Sequence, residues 1–461
     1  MRDDEHDLPD GWKLVAAGDI AEVVGGGTPK TTVAGNFSDD GGHPWITPAD
    51  LTGYTEKYIS RGRRNLTDQG LATSSAKYMP AGTVLYSTRA PIGYVAIAEN
   101  PVTTNQGFRS FVPSSAVESE YLYYGLKLAR QEAEQLARGT TFAELSGTNA
   151  KKLHVPLAPL DVQRQIVRLL DAASTSNASA RLHIAAAARA VERFRQSVLA
   201  AAYSGRLTRD WRLAHSASVE PAFDFLRRLS DARNGAVKKQ PLAPFVDAGF
   251  PDNPDGWEWA SADALTTLIT KGTTPPGTDM SQGAGDIPYL KVYNLTFDGT
   301  VDFTVNPTFV PRGVHDGLLK RSRVFPGDLL LNIVGPPLGK VGVVPETYPE
   351  WNINQAIAVF RLLPGVNTEY LKLWLLSSQL MSHFARRAKA TAGQYNLTLE
   401  ICRELPVPIP PADEQAEIVR RVEYLLQFAA KVHSRIDAVS KRVDRTSQAV
   451  LAKAFRGELL A

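Results

Sequence analysis

The chain contains one unit written twice. Residues Gln196–Leu207 return as Gln448–Leu459, a shift of 252 positions. A period of this length exceeds the roughly 20 to 50 residues of a solenoid repeat, so the sequence predicts two copies of one domain, each with an appendage. Shorter matches keep the same order in both halves: Pro9–Trp12 and Pro254–Trp257, Gly26–Pro29 and Gly272–Pro275, Pro91–Gly93 and Pro337–Gly339, Thr104–Gln106 and Ile353–Gln355, and Leu153–Leu157 and Leu405–Ile409.

The composition indicates a folded chain of several domains. A length of 461 residues predicts about three domains, and 43% hydrophobic residues suffice for ordinary cores. The single cysteine, Cys402, excludes an intrachain disulfide and a cysteine zinc cluster and favours a reducing, cytoplasmic location. No run approaches the ~18 apolar residues of a membrane helix, and the acidic start has no apolar run behind it, so neither a membrane partner nor a secretion signal is expected.

Two segments carry heptad stripes, the pattern of long helices that pair along one face. Each opens with an acidic residue after a proline, Asp161 or Asp413, and ends at Gly205 or Gly457, which can close a last turn. Each helix is expected to be roughly 65 Å long. The stripes are Ile166, Leu170, Ala173, Asn177, Ala180, Ile184, Ala187, Val191, Phe194, Val198 and Ala201, and Ile418, Val422, Leu425, Ala429, Val432, Ile436, Val439, Val443, Thr446 and Val450.

The two stripes are expected to pair with each other, because a lone helix would expose an apolar face. The alternative is that each helix folds back on its own globular part. If the chain closes as a ring of domain, helix, domain, helix, the helices form an antiparallel coiled coil with a pseudo-twofold axis. Asn177 either fixes the register or is hydrated. The helix-pairing residues are Ile166, Leu170, Ile184, Val191, Phe194, Val198, Ile418, Val422, Leu425, Ile436, Val443 and Val450.

The two globular parts are predicted to be mixed α/β, of the α+β class. Runs rich in β-branched and apolar residues at 83–87 and 328–334 indicate strands among glycine and proline turns. An amphipathic exit helix is expected just before the chain leaves each globular part, at Glu120–Ala137 and Glu369–Arg387. Residues 214–250 have no counterpart in the other half and are expected to form a linker with a short helix around Phe223–Arg233.

Four repeated elements occur together: the Gly-Gly-Thr-Pro element, the Pro-Ile-Gly or Pro-Leu-Gly loop, the Asn-Gln strand start, and the Pro-Ile-Pro-Pro-x-x-Glu-Gln entry to a long helix at Pro408–Gln415. In this combination the chain, from about residue 8 to 461, resembles the specificity subunit of type I restriction-modification systems. The first copy departs from the pattern at Val162, where the second has Glu414.

The resemblance implies two target recognition domains that read the halves of a split double-stranded DNA sequence. It also implies that the paired helices set the gap and dock two methyltransferase subunits and, through them, restriction subunits. Successive major-groove faces lie about 34 Å apart, so two readers on a stiff spacer can specify two half-sites. The globular copies have diverged more than the helices, so an asymmetric target is expected. The expected segments are 1–157, first recognition domain; 158–213, first spacer helix; 214–250, linker; 251–409, second recognition domain; and 410–461, second spacer helix.

Two clusters of cations, expected at corresponding places in the two copies, are the candidates for phosphate contact because the cluster recurs. Amide and guanidinium side chains are the candidates for base reading. Asn105, Gln106, Asn354 and Gln355 have the alternative of capping strands within the fold. The phosphate candidates are Lys57, Arg61, Arg63, Arg64, Arg312, Lys320, Arg321, Arg323 and Lys389. The base or loop candidates are Arg89, Asn105, Gln106, Arg138, Thr140, Thr141, Asn332, Asn354, Gln355, Thr391, Gln394 and Tyr395.

The sequence has no recognisable catalytic or metal-binding pattern. Gly335–Val341 superficially suggests a phosphate loop, but its glycine spacing is one short, no Ser or Thr follows Lys340, and two prolines remove N–H groups. A stand-alone enzyme is therefore not expected, and the resemblance implies a non-catalytic subunit of an adenine-specific methyltransferase and endonuclease complex. No cofactor is expected on this chain, and S-adenosylmethionine, ATP and magnesium are expected on partner subunits.

Two alternatives to DNA reading remain. A nuclease with an unrecognised site would cleave DNA in the presence of Mg²⁺. A coiled-coil scaffold that binds only proteins would show no DNA sequence preference.

Overall fold

The computed structural model describes residues 8–89, 91–137, 144–215, 218–234, 253–335, 337–387, 389–391 and 394–460. The chain divides into two compact units, the first formed by Met1–Ala185 and Asp437–Ala461 and the second by Ala186–Ile436. Each unit therefore contains one globular part, the first half of the long helix that leaves it, and the second half of the other long helix.

The first globular part contains short helices and strands of mixed orientation. The strands are β1 Lys13–Ala16, β2 Ala21–Gly25, β3 Phe37–Ser38, β4 His43–Ile46, β5 Tyr58–Ile59, β6 Arg64–Leu66, β7 Val84–Thr88, β8 Ile92–Ala98, β9 Thr103–Thr104, β10 Phe108–Pro113 and β11 His154–Leu157. The helices are α1 Ala17–Ile20, α2 Asp68–Ala72, α3 Ser119–Leu128, α4 Arg130–Leu136 and α5 Gly147–Ala150.

Three helices follow it: α6 Leu160–Tyr203, α7 Arg209–His215 and α8 Ala222–Asn234. The first spacer helix thus ends at Tyr203, earlier than the predicted residue 213, because Gly205 has a φ of 68° and turns the chain. The short helix expected in the linker is α8, which buries Phe225 and Leu229 in the core of the second unit.

The second globular part repeats the arrangement of the first. Its strands are β12 Glu258–Ser261, β13 Thr266–Lys271, β14 Ser281–Gln282, β15 Ile287–Leu290, β16 Thr308–Val310, β17 Arg323–Val324, β18 Leu329–Asn332, β19 Val341–Val343, β20 Trp351–Ile353, β21 Ile357–Leu362, β22 Lys389–Thr391, β23 Gln394–Asn396 and β24 Pro406–Ile409. Its helices are α9 Arg312–Asp316, α10 Thr368–Leu375, α11 Ser378–Arg387 and α12 Leu399–Arg403, and α13 Ala412–Ala454 is the second long helix.

The strand orders confirm the duplication. The main sheet of the first copy has the order β2-β10-β7-β8-β5, and that of the second has β13-β21-β18-β19. A second sheet has the order β3-β6-β4-β9 in the first copy and β14-β16-β15-β20-β17 in the second, while β1 pairs with β11 and β12 with β24. Each copy therefore has the predicted mixed α/β fold, with the same strand neighbours except at the edges, where β5 extends the main sheet of the first copy only and β17 the second sheet of the second copy only.

Each predicted exit helix is two helices instead of one. The backbone breaks at Ala129, with a ψ of 3°, between α3 and α4, and at Leu376, with a ψ of −6°, between α10 and α11. A ψ near zero departs from the ideal helical value of about −42°, and the helix is interrupted there. The amphipathic pattern spans both pieces because α3 and α4 bury apolar residues in one core, as α10 and α11 do in the other.

The long helices pair in antiparallel orientation within each unit, as predicted. In the first unit the start of α6, at Ile166 and Leu170, shares a core with Val450 and Leu451 near the end of α13. In the second unit the end of α6, at Val198 and Leu199, shares a core with the start of α13. Ile166, Leu170, Val198, Ile418 and Val422 are buried, and the half-buried predicted positions are Ile184, Val191, Leu425, Ile436, Val443 and Val450.

The heptad stripe breaks at the same place in both helices. In α6, Ala187 is exposed and Ala188 is half-buried; at the repeated place in α13, Val439 is 48% exposed and Ser440 is half-buried. Beyond this shift in α6, Phe194 is 38% exposed and Arg195 is half-buried. An extra step of four residues shifts the buried face, a stutter that locally unwinds a coiled coil. The prediction of Phe194 as a pairing residue is therefore wrong, and Ala187 and Thr446 leave the stripe for the same reason.

The end of each long helix packs on the globular part of the other copy. Tyr203 at the end of α6 lies 4.7 Å from Trp374 between ring centroids, and Phe455 beyond α13 lies 4.8 Å from Tyr121. At both helix ends a glycine faces a proline, and a Cβ on Gly205 or Gly457 would lie 2.3 Å from the ring of Pro254 or Pro9. The helices therefore do not fold back on their own globular parts alone.

A buried carboxylate in the second copy explains why the two copies differ at the position of Val162 and Glu414. Glu414 is fully buried and accepts hydrogen bonds from Thr208 Oγ1 at 2.7 Å, Arg212 Nη1 at 3.1 Å and Trp257 Nε1 at 3.0 Å. In the first unit the corresponding Val162 packs in an apolar cluster that also contains Trp12 and Leu459. Valine fits there because its surroundings are apolar.

Candidate nucleic-acid interface

Three loops meet at one end of the main sheet in the first unit. The end of β2 lies beside the start of β10, where Gly25 pairs with Arg109, and Phe108 at that start pairs with Ser87 near the end of β7. The Gly-Gly-Thr-Pro loop, the Asn-Gln turn and Arg89 therefore lie together. The Leu145 N–H donates to the Thr88 carbonyl at 2.9 Å, so the chain returning from α4 arrives at the same sheet end.

The glycine loop packs directly on the Asn-Gln turn in both copies. The Gly27 N–H donates to the Thr104 carbonyl at 2.9 Å, and the Thr273 N–H donates to the Ile353 carbonyl at 3.2 Å. A Cβ on Gly26 would lie 2.0 Å from the Asn105 carbonyl oxygen, and one on Gly272 would lie 2.1 Å from the Ile353 oxygen. This close backbone approach requires glycine and explains why the element recurs.

A buried tyrosine supports the glycine loop of the second copy. The Tyr289 hydroxyl donates to the Thr273 carbonyl at 2.9 Å and contacts Thr274 Oγ1 at 3.3 Å. Burial raises the pKa of Tyr289 to about 12, so its hydroxyl stays protonated and able to donate at neutral pH. The hydrogen bond from Tyr289 to the glycine loop is therefore kept at neutral pH.

The asparagine and glutamine side chains of the Asn-Gln turns differ in burial and hydrogen bonding. The Asn105 side-chain oxygen accepts from the Gly107 N–H at 2.9 Å and closes the turn, and the Asn354 side-chain oxygen is buried. Gln106 and Gln355 are exposed at the corresponding positions, and Gln106 also contacts Thr28 of the glycine loop. Strand capping therefore accounts for Asn105, whereas the buried Asn354 side-chain oxygen has no hydrogen-bond partner among the described residues. The exposed glutamine amides are available to a ligand.

Asn332 is a structural residue, contrary to the prediction of base reading. It is fully buried, its amide N–H donates to the Pro337 carbonyl at 3.0 Å, and its amide oxygen accepts from the Lys340 N–H at 2.7 Å. Both ends of the amide are occupied, so Asn332 fixes the Pro-Leu-Gly loop and has no atom left for a base edge.

The remaining loop candidates lie near the same sheet ends. Arg89 is half-exposed, and its guanidinium lies 3.8 Å from Glu144. Lys389, Thr391, Gln394 and Tyr395 lie on the β22–β23 hairpin, which is attached where the Leu397 N–H donates to the Ile333 carbonyl just after β18. Three of the predicted base or loop candidates lie outside the described residues, namely Arg138, Thr140 and Thr141.

In the first cationic cluster, two of the predicted phosphate-binding side chains already contact other residues of the chain. Lys57 Nζ lies 2.5 Å from Asp171 of α6, and the Lys57 side chain is only 18% exposed. Its charge is already paired, so the prediction that Lys57 contacts phosphate is not supported by its position. Arg64 lies over the Phe37 ring at 4.2 Å. Arg61 and Arg63 are exposed and make no ion pair with the described residues.

The second cationic cluster is not the counterpart of the first. Trp45 pairs with Arg64 in the first copy, and the register of β15 and β16 puts Thr308 at that position in the second. The second cluster instead follows β16, on α9 and the turn after it. Arg312 lies 3.6 Å from Glu350, Arg323 pairs with Asp316, and Lys320 and Arg321 are exposed. Recurrence at one site therefore gives no support to phosphate binding.

The part of the chain that the structure describes shows neither a metal site nor a membrane-spanning helix. The described ranges contain no group of three His, Cys, Asp or Glu residues placed to hold a metal ion. No helix in those ranges combines the length and hydropathy that a membrane crossing needs. Burial raises the pKa of the Cys402 thiol to about 12, so this cysteine is held in its unreactive form.

Comparison with known proteins decides the family. The model of the type I restriction modification DNA specificity domain matches residues 9–185 and again 254–439. The chain belongs to this family. Both matches cover a globular part and much of the helix that leaves it, in agreement with the duplicated fold.

Relatives of this specificity protein cover both halves of the chain. The specificity subunit of the EcoBI type I restriction enzyme from Escherichia coli is 27% identical over 471 residues, covering 98% of this chain and 87% of that protein. The MjaIX specificity subunit of Methanocaldococcus jannaschii is 44% identical over 165 residues, 35% of this chain and 38% of that protein. A solved chain described under the structural basis of complex assembly and conformational transition of the type I R-M system has a TM-score of 0.67 and 18% identity, covering 98% of this chain and 99% of its own length.

Proposed function

We propose that this specificity protein reads a two-part DNA target, with one half-site read by the loop cluster of each globular part. The supporting observation is that the same loops meet at the same sheet end in both units, each with one exposed glutamine, Gln106 or Gln355. Glutamine amides suit bidentate bonds to adenine in the major groove.

The surroundings of the two glutamines differ, so the half-sites should differ as well. Arg109 donates to the Gln106 carbonyl and Thr28 contacts its side chain, whereas Lys271 and the β22–β23 hairpin lie at the sheet end that carries Gln355. An asymmetric target follows from this difference. Exposed cations, foremost Arg61, Arg63, Lys320 and Arg321, would contact phosphate and fix position without reading sequence.

The paired helices are the proposed docking surface for two methyltransferase subunits and, through them, for restriction subunits. The chemistry would then belong to those partners, which would use S-adenosylmethionine and, for cleavage, ATP and magnesium. This chain contributes binding and orientation, and its unreactive thiol agrees with that role.

Sequencing the methylome of a host that expresses the chain with its partner methyltransferase tests the proposal. One split motif is expected, and exchange of residues 1–157 for another recognition domain should change one half of it only. The absence of any motif would favour a protein-binding scaffold, and DNA cleavage by the purified chain with Mg²⁺ would indicate a nuclease.

A further inference from the structure

Two glycines of the first recognition fold flank the side chain of Arg109. This arginine lies on β10 opposite Gly25, the last residue of β2. A Cβ on Gly25 would lie 3.7 Å from Arg109 Nη1, and one on Gly147 at the start of α5 would lie 3.2 Å from Arg109 Nε. Among the described residues, the local backbone aside, Arg109 alone comes within 4 Å of either position. Neither glycine has a positive φ, so their missing side chains leave the space in which Arg109 lies.

Two backbone carbonyls at the Asn-Gln turn fix the guanidinium of Arg109. Its Nη1 atom donates to the Gln106 carbonyl at 3.2 Å and to the Phe108 carbonyl at 2.8 Å. Its Nε and Nη2 atoms make no hydrogen bond within the described ranges, and Glu144 at the same sheet end lies beside Arg89 instead. The edge formed by Nε and Nη2 therefore keeps its donors, and the glycine that opens α5 places no side chain over it.

This edge has the donors that guanine recognition needs. A guanidinium presents its N–H groups in a rigid planar fork, and bidentate donation to guanine O6 and N7 is the commonest specific contact in the major groove. Arg109 is half-buried and already held by two carbonyls, so it loses little freedom when it binds. Gln106, whose carbonyl accepts from Arg109, presents its own amide to solvent. One turn therefore carries donors for a guanine beside an amide suited to adenine.

The second recognition fold replaces all three residues. Ala358 occupies the position of Arg109, and its partner across the ladder is Lys271 instead of a glycine. The counterpart of α5 is α12, which begins at Leu399 after a threonine N-cap, as α5 begins at its glycine after a serine N-cap. The two glycines are thus found together with the arginine, and both are absent where alanine takes its place.

We propose that Arg109 is a specificity-determining residue that reads a guanine in the first half-site, beside the base contacted by Gln106. The Nε and Nη2 donors face guanine O6 and N7, while Nη1 stays bound to the turn. In the second half-site Lys271 supplies a compact charge from the neighbouring strand and has no planar fork. The inference rests on the proposed function, because it needs the loop cluster of the first globular part to face DNA.

The test measures competition binding of the full chain with its methyltransferase to duplexes that carry single-base changes throughout both half-sites. Arg109→Lys keeps the charge but loses the fork, so discrimination at one G·C pair of the first half-site should fall roughly tenfold or more. Affinity for unrelated DNA should stay close to wild type because the net charge is unchanged. Discrimination in the second half-site should be unaffected, which reports that the complex remains assembled.

Glycine variants test the geometry without removing a donor. Gly147→Ala places a Cβ 3.2 Å from Arg109 Nε, so the guanidinium must shift and discrimination at the same G·C pair should fall. Gly25→Ala places a Cβ 3.7 Å from Nη1, an ordinary contact distance, and should leave discrimination intact. Thermal unfolding of both variants should match wild type, since each Cβ meets only the Arg109 side chain. Lys30→Ala removes an exposed cation from the neighbouring glycine loop and should weaken binding to all sequences alike.

A first half-site without guanine, unchanged guanine discrimination in Arg109→Lys, or an equal loss at every base pair would overturn reading by Arg109. Equal effects of Gly147→Ala and Gly25→Ala on discrimination would overturn the use of the Nε edge. A wild-type complex that prefers no DNA sequence at all would instead overturn the proposed function.

Discussion

At the residue scale, the two neighbouring amide side chains of each Asn-Gln turn differ in burial and in role. Asn105 closes its turn through its side-chain oxygen, while the next side chain, Gln106, is exposed. In the second copy Gln355 is likewise exposed, whereas the buried side-chain oxygen of Asn354 makes no hydrogen bond with the described residues. An exposed amide on a rigid turn loses little freedom when it binds, which favours selective recognition.

Gln106→Ala and Gln355→Ala should each relax one half of the target. A lost bidentate amide contact should reduce base discrimination by about 1–3 kcal/mol in the half-site that the residue reads. Competition binding with single-base variants of the motif measures this. Arg61→Ala is the control and should weaken binding to all sequences alike. An equal loss at every position in Gln106→Ala would remove that glutamine from base reading.

Gly272→Ala should destabilise the second unit by about 1–3 kcal/mol, the usual cost of overpacking. Its Cβ would lie 2.1 Å from the Ile353 carbonyl oxygen, whereas a Cβ on Gly277 would meet nothing within 4 Å. Thermal unfolding of the two variants makes the comparison. If Gly272→Ala melted like Gly277→Ala, the loop packing described above would be incorrect.

The sequence predicted the chemistry of these residues better than their burial. Asn332 and Lys57 have suitable donors, but one holds a neighbouring loop and the other is paired with Asp171, which lies 114 residues later. Contacts at that separation leave no local pattern. The two cationic clusters looked equivalent because charge alone was compared, and only the strand registers show that they differ.

At the element scale, the position and pairing of the two long helices could be predicted from the periodicity of their apolar residues. The change in their buried face could not. The stutter between Ile184 and Val191 is masked because alanine occupies several of the positions between them. Glu414 also lacked a local signal, since its partners Thr208 and Trp257 are 206 and 157 residues away.

Glu414→Ala should destabilise the second unit by about 3–5 kcal/mol, because it leaves the Arg212 charge without its buried partner. Denaturant unfolding of the full chain measures the change. Glu423→Ala, which removes an exposed carboxylate from the same helix, should have little effect. Equal destabilisation by the two variants would contradict the structural role of Glu414.

The contact of α7 with α13 should weaken in acid. Arg421 lowers the pKa of Asp210 to about 2, and Arg420 together with Arg421 lowers the pKa of Glu417 to about 2. Both folded-state values are below the usual range near 4, so the stabilisation is complete above about pH 4 and is lost as pH falls toward 2. Hydrogen-exchange protection of residues 209–215 should decline over that interval. Arg421→Leu should show weak protection at all pH values, and constant wild-type protection down to pH 2 would contradict the expectation.

At the scale of the whole molecule, each long helix begins at one globular part and ends against the other. Aromatic contacts stabilise both ends: Tyr203 packs on Trp374 and Tyr370, and Phe455 packs on Tyr121. The chain is thus closed at both helix ends by similar contacts, although the contacts belong to different units. This closure explains why the motif around Gly205 returns around Gly457.

If the helices set the gap between half-sites, lengthening both should lengthen the gap in the target. Seven residues are inserted after Ala185 and after Ile436, the points at which each long helix passes from one compact unit to the other. An insertion of this length preserves the paired face and adds about 10 Å to each helix. At roughly 3.4 Å per base pair the unread gap should grow by about three base pairs, with both half-sites unchanged. Methylome sequencing reads this directly. Insertion into α6 alone should instead mismatch the buried faces and abolish methylation, while an unchanged gap after the double insertion would mean that the helices do not measure it.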